Sequence, residues 1–209
     1  KVIWMNVLGR PTYAEINVSA VIENFRQMSA LAGNSKTLAV IKADAYGHGA
    51  IAIAQALSDE AEGFAVAFID EAIHLREHGI LQPILLLEGV LNEAEMALAF
   101  ELDFWVMLHR SEHFEWLRFL APSQRPKVWI KVDTGMHRLG FGLAEINSVL
   151  REFADLLIYG SVLCSHLACA DEQHNVINIQ QTQKLEALAV SHGLVFSLAN
   201  SAGISQWPM

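Results

Sequence analysis

The feature that most constrains this 209-residue chain is its rhythm. Short apolar runs alternate with longer stretches of helical spacing, seven times over. The runs lie at 37–41, 64–68, 84–87, 104–108, 128–132, 157–163 and 194–198. Apolar runs without polar alternation mark strands covered on both faces, as in parallel sheets flanked by helices. Helical patterns fall between them at 48–57, 69–78, 93–100, 111–119, 143–153 and within 178–192. Gly79 stands where a helix would stop, and Ser111 where one would be capped. A further helix at 19–31 precedes every strand. Strands and helices in strict alternation predict parallel βαβ units. No linker, low-complexity tract or charge run divides the chain, so residues 1–209 read as one domain. A doubly wound sheet and a (β/α)8 barrel both fit this pattern. A barrel needs eight strands and typically about 250 residues.

Composition narrows the function. Hydrophobic residues make up 53% and charged residues 18%, which excludes a disordered chain, a collagen and a coiled coil. The formal net charge of −9 opposes binding to a nucleic-acid backbone, although a local site can still attract a small anion. Mean hydropathy is +0.29, high enough to prompt a search for a membrane span. The apolar stretch 80–87 is interrupted by Gln82 and Pro83 and ends at Glu88, short of the roughly 20 residues a span requires. The first nine residues are too few for a signal peptide and run into Arg10-Pro11. Cys164 and Cys169 sit in apolar surroundings and read as buried residues rather than a disulfide, a nucleophile or a metal pair. A reducing cytoplasm is the expected compartment.

In parallel α/β folds the chemistry gathers at the C-terminal ends of the strands. The first such end reads KADAYGHG, residues 42–49. Lys42 ends a buried strand, where a desolvated amine becomes the nucleophile that Schiff-base chemistry needs. Gly47 and Gly49 permit close backbone approach, and the helix start beyond them suits an anion. The plainer reading is a lysine reaching solvent past turn glycines. The fifth strand end reads KVDTGMHRLG, residues 131–140. Lys131 and Asp133 share a face, and Arg138 offers a planar fork to a carboxylate or phenolate, or else belongs to a surface salt-bridge cluster. After the sixth strand comes His166, and after the seventh Asn200-Ser201-Ala202-Gly203, a phosphate-friendly turn that is also an ordinary one. His74, His78, His109, His113 and His192 read as solvated, and HRSEH at 109–113 lacks the spacing of a zinc helix, so no metal is expected. Neither a dinucleotide fingerprint nor a P-loop occurs. Taken together, a reactive lysine, anion-binding turns and a carboxylate-binding arginine suggest pyridoxal phosphate with an amino-acid substrate.

At this point the chain resembles the alanine racemase family. The segments that carry the likeness are RPTYAEIN at 10–17, VIKADAYGHG at 40–49, KVDTGMHRLG at 131–140, SHLACAD at 165–171 and NSAG at 200–203, in family order and spanning nearly the whole chain. The likeness implies an α/β fold of (β/α)8 TIM-barrel type that binds pyridoxal 5'-phosphate, followed in the family by a β-rich C-terminal domain. It implies an isomerase that interconverts L- and D-alanine by two-base proton transfer at Cα. Lys42 would hold the cofactor as an internal aldimine and act as one base. Tyr46 and Ser201 would contact the phosphate, with Asn200 supporting the turn. His166 would line the cofactor ring, and Arg138 would meet the substrate carboxylate and the cofactor's phenolic oxygen. Lys131 resembles the position carbamylated in the family, where negative charge would orient Arg138. The family setting implies a cytoplasmic homodimer making D-alanine for peptidoglycan, with alanine as its small-molecule partner and no nucleic acid or membrane.

The family's other base is a tyrosine of the partner subunit's C-terminal domain. Tyr13, Tyr46 and Tyr159 do not match that position. Seven βα units, no eighth strand and no C-terminal domain are read here, so a partial N-terminal barrel is expected, with open edges on its first and seventh strands and little activity alone. Three alternatives stand beside this expectation. One is the single-domain barrel family that binds and buffers pyridoxal phosphate, whose motifs after the first and fifth strands differ. Another is a racemase for another amino acid. The last is a non-catalytic interaction module derived from the barrel.

Overall fold

The computed structural model describes residues 2–6, 13–157 and 160–207. A two-stranded antiparallel pair, β1 (Val2–Asn6) and β2 (Tyr13–Asn17), leads into helix α1 (Val18–Leu31). The Asn17 side chain caps α1 by accepting from the Ala20 amide at 3.1 Å. The sequence pattern showed the helix but not the hairpin before it. Strands then alternate with helices: β3 (Ala39–Val40), α2 (Lys42–Gly47), α3 (Ala50–Ala56), β4 (Phe64–Val66), α4 (Ile69–Glu77), β5 (Ile84–Leu86), α5 (Glu93–Glu101), β6 (Phe104–Leu108), α6 (Ser111–Phe119), β7 (Val128–Asp133), β8 (Phe141–Gly142), α7 (Ile146–Glu152), β9 (Val162–Cys164), α8 (Val176–His192), β10 (Val195–Ser197) and α9 (Ser201–Gln206).

Strand order separates the two architectures left open by periodicity. The main sheet runs β10-β9-β7-β6-β5-β4-β3, all parallel, with short β8 beside β7. Order in space therefore follows order in sequence, with no reversal. A doubly wound sheet reverses at a switch point and carries helices on both faces; this sheet does neither. Its outward face holds Phe64, Val66, Ile84, Leu86, Val106, Leu108, Val128, Ile130 and Val132, packed under the helices. Its inward face holds a separate cluster of Ala65, Leu85, Met107 and Cys164, joined by Leu38, Leu87, Trp105 and Trp129. An inner layer contributed by successive strands is the interior of a (β/α) barrel. Seven of its strands are present, and among the described residues β3 and β10 are each paired on one side only.

Several boundaries differ from expectation. The strand read at 37–41 shortens to Ala39–Val40, because the chain turns sharply at Lys42. The strand read at 157–163 pairs only over Val162–Cys164; residues 158 and 159 lie outside the described residues, and Tyr159 with them. Arg110, not Ser111, occupies the N-cap of α6, and Ser111 is its first helical residue. At the opposite end of the barrel from the motifs, the Arg76 guanidinium donates to the carbonyls of Ile80, Gln82, Leu102 and Asp103 and lies over the Phe104 ring at 5.2 Å. One side chain thus ties together the turns that enter β5 and β6, satisfying carbonyls that would otherwise be stranded.

Candidate active site

Strand parity decides which side chains face the interior. In β7, Trp129 registers with Val162 and Lys131 with Cys164, on the same face as the inner cluster. Continuing that parity along β9 brings His166 to the same side, one step beyond the strand end. On β3, Val40 registers with Ala65, an inward residue, and Lys42 follows two positions later. Three of the motifs therefore deliver their polar residue to one end of the barrel.

The first motif does so through unusual backbone. Ala43, Asp44, Ala45 and Tyr46 all adopt left-handed helical angles, with φ between 51° and 56°. Each such L-residue costs roughly 1–2 kcal/mol, so this turn is held in place by its surroundings. Gly47 and Gly49 extend it at φ 85° and 89°, in open space where no atom lies within 4 Å of an added Cβ. Their role is conformational freedom rather than close packing. The Asp44 carboxylate closes the turn by accepting from the Ala50 amide at 2.7 Å. The expected helix at 48–57 is α3, at Ala50–Ala56, and α2 precedes it as a separate left-handed turn.

The second motif forms a tight loop. The Asp133 carboxylate accepts from the amides of Gly135 and His137 and from the His137 ring, all within 3.0 Å. Partial burial alone would raise its pKa; these donors outweigh burial and hold it below the usual carboxylate range. Gly140, at φ 116°, brings the loop back onto the Lys131 main chain, where an added Cβ would stand 2.9 Å from the carbonyl. Asp133 is thereby committed to its own loop and is not the partner of Lys131 or Arg138. Among the described residues, Lys131 Nζ approaches Cys164 Sγ alone, at 3.9 Å. Among the described residues no ion pair involves Lys42, Lys131 or Arg138.

His166 registers this gathering of charge. Burial, then Lys131, Arg138 and Lys42 in turn, lower its pKa to about 4. Its ring is therefore neutral at pH 7. The Asn200 carbonyl oxygen accepts from the Gly203 amide at 2.8 Å, so the Asn200 amide group faces His166 Nε2, 3.5 Å away, and donates to it. That assigns the ring proton to Nδ1. Asn200 is the N-cap of α9 and Ser201 its exposed first residue. Tyr46 is 61% exposed, with its hydroxyl free of protein partners among the described residues. Of the expected site residues, Lys42, Lys131, Arg138, His166 and Asn200 are thus linked by contact or charge; Tyr46 and Ser201 lie on the adjoining turns.

Two parts of the surroundings were not anticipated. Gln181 of α8 is 1% exposed and works on both sides of His166. It donates to the His166 carbonyl (2.9 Å) and Thr134 hydroxyl (3.2 Å), and accepts from the Ala168 amide (2.9 Å). Thr134 in turn meets Ser165, which donates to the Val132 carbonyl, so β7 and β9 end in one buried polar network. Its signal was available: Asn178, Gln181, Leu185 and Leu188 form one helical stripe, and two of its members are polar. His113, expected to be solvated, is fully buried instead. Its Nδ1 accepts from the His109 amide, and Nε2 donates to the Val90 carbonyl at 3.0 Å. Burial, with His109 and Arg110 nearby, lowers its pKa to about 3. His109 follows β6 in the loop before α6. Cys164 is buried as expected, where burial raises its thiol pKa, but Cys169 is only half-buried.

His113 and His166 give the fold an acid-side weakness. An unfolded histidine protonates near pH 6.5, whereas these two remain neutral down to about 3 and about 4. Above pH 6.5 neither state holds the extra proton and the rings contribute no slope. Below it the unfolded chain binds protons that the fold refuses, so stability falls as pH drops through that window. Urea midpoints should decline between about pH 7 and about pH 4.5, and His113→Gln should flatten the decline. A variant with the parent's slope would contradict this account.

A sequentially ordered, all-parallel βα sheet with an inner layer of side chains defines a (β/α) barrel. The chain belongs to the family described as alanine racemase, N-terminal domain, whose model matches residues 16–209. It is 40% identical over 201 residues to an alanine racemase of Alteromonas mediterranea, covering 96% of this chain and 56% of that protein. It is 43% identical over 203 residues to one from Xanthomonas oryzae pv. oryzae, covering 95% and 54%. Among solved structures, the alanine racemase of Acinetobacter baumannii superposes with a TM-score of 0.85 at 36% identity, covering 92% of this chain and 55% of that one. The biosynthetic alanine racemase of Pseudomonas aeruginosa does so at 0.82 and 35%, covering 91% and 54%. The chain thus spans about half the length of the relatives it matches. Among the described residues no helix is long and apolar enough to cross a membrane.

Proposed function

We propose that this chain carries the cofactor-holding part of an alanine racemase, an isomerase that uses pyridoxal phosphate. The observation that supports this most directly is the convergence of Lys42, Lys131 and Arg138 on His166, with no carboxylate partner among the described residues. Unpaired cations around a neutral ring suit a ligand that brings its own negative charge, and the amine of Lys42 suits an aldehyde. The donor set therefore fits pyridoxal phosphate. That cofactor, when bound, spreads the negative charge left at a substrate Cα once its proton departs.

The chain's own residues do the rest. Lys42 Nζ would hold the cofactor's aldehyde carbon and, as a free amine, would carry the Cα proton on one face. The Arg138 guanidinium takes the alanine carboxylate through its planar fork. Tyr46 and Ser201 hydroxyls take the phosphate, with Asn200 bracing the turn that presents Ser201. His166 keeps a neutral ring because burial, and then the surrounding cations, oppose its protonation. A carbamate on Lys131 would convert its positive charge to a negative one and hold Arg138 in place. The opposite face of Cα needs a second proton carrier. In the family reading this is a tyrosine of the partner subunit's C-terminal domain, which makes the homodimer the family's functional form. The cytoplasm is the setting consistent with two free thiols, Cys164 and Cys169.

Binding of pyridoxal phosphate compared with pyridoxal tests the reading. The phosphate should tighten binding at least about tenfold, the size of one charge-assisted contact, and Tyr46→Phe should erode that advantage. Equal affinity for the two would overturn the proposal.

A further inference from the structure

The left-handed turn at 43–46 raises the question of what holds it at its entry. Asp44 closes the exit. At the entry, the Ala43 amide donates to Glu71 Oε1 at 2.5 Å. Glu71 stands at the third position of α4, and its other oxygen accepts from the amides of Ala67 (2.7 Å) and Phe68 (3.2 Å). Capping α4 accounts fully for that second oxygen. It leaves the first unexplained, because Oε1 reaches across 28 residues to the one amide that directly follows Lys42.

We infer that Glu71 is a positioning residue for Lys42: one carboxylate locks the start of α4, on the neighbouring βα unit, to the first residue of the left-handed turn. Oε1 fixes the Ala43 peptide and thus the direction in which the chain leaves Lys42. One helical turn of either hand returns the chain to the same side after about four residues, so the same lock sets position 46 against position 42. Glu71 acts through Ala43 and touches neither cofactor nor substrate. The inference rests on the proposal that Lys42 holds the cofactor. A glutamine at 71 offers one carbonyl oxygen and one amide group; with the oxygen on the two helix-side amides, the amide group faces the Ala43 N–H and cannot accept from it. An aspartate still caps α4 but is one methylene too short to span both.

Glu71→Gln and Glu71→Asp test this with two readouts. Amide hydrogen exchange of Ala43, measured without cofactor, should accelerate at least about tenfold in both variants, while the helix α4 amides stay protected. Borohydride reduction after incubation with pyridoxal phosphate, followed by peptide mass analysis, should show the ratio of Lys42 to Lys36 labelling falling about tenfold. Lys36 is exposed and serves as the internal reference, and the retained protection of the α4 amides separates loss of the lock from general loosening. Unchanged Ala43 exchange overturns the lock, whatever the cofactor does. Faster exchange with an unchanged labelling ratio overturns the positioning role and leaves Lys42 as the anchor. A parent protein that labels Lys42 no better than Lys36 overturns the anchor, and the positioning role with it.

Discussion

Lys42→Ala is expected to abolish covalent capture of pyridoxal phosphate and to lower racemisation by at least about a thousandfold in any active form of the protein. Two amines stand at this end of the barrel, and the structure distinguishes them. Lys131 lies within β7, its main chain covered by Gly140 and its Nζ against Cys164. Lys42 stands at the mouth of the left-handed turn, with no hydrogen bond or ion pair among the described residues. A nucleophile must approach its target unencumbered, and only Lys42 meets that condition. The visible absorption band of lysine-bound cofactor should therefore be lost in Lys42→Ala and kept in Lys131→Gln, with circular dichroism unchanged in both. Label recovered on Lys131 in the parent protein would sink the assignment.

The second large effect is on stability. Phe114→Ala should lower unfolding free energy by about 3–5 kcal/mol, a substantial part of the roughly 5–15 kcal/mol typical of a domain. Phe114 is fully buried under α6, stacked on Phe153 at 4.6 Å and tilted against Phe141 at 5.9 Å. Removing the ring leaves a cavity that two other rings cannot close without moving. Phe141 belongs to β8, directly after the loop that carries Arg138. The damage should therefore reach the site as weaker cofactor binding, with Phe114→Leu intermediate in both measures. A urea-derived loss below about 1 kcal/mol would show that the site repacks freely.

How far each feature could be read from sequence follows from how local its cause is. The strand at 104–108 and the helix at 111–119 match their expected bounds because one run of side chains specifies each. The chemical motifs were equally visible, since Lys42, Arg138, His166 and Asn200 each follow a recognisable strand. The turn at 43–46 was not, because four left-handed residues run against the preference of every one of them and are held by Asp44 and Glu71. His113 was misread for a similar reason. Its solvent exposure depended on whether a carbonyl 23 residues away, at Val90, would come within reach.

Sequence alone determined the alternation of strand and helix, the identity of the groups at each strand end and the family to which the chain belongs. These are properties of short windows, where spacing and residue type act directly. Tertiary structure decided that the sheet is singly wound, that Lys42, Lys131 and Arg138 converge on one neutral histidine, and that Glu71 and Gln181 brace them from neighbouring units. Those outcomes depend on register and burial. Both arise only when distant segments share a low-dielectric interior and every buried polar group must find its partner there.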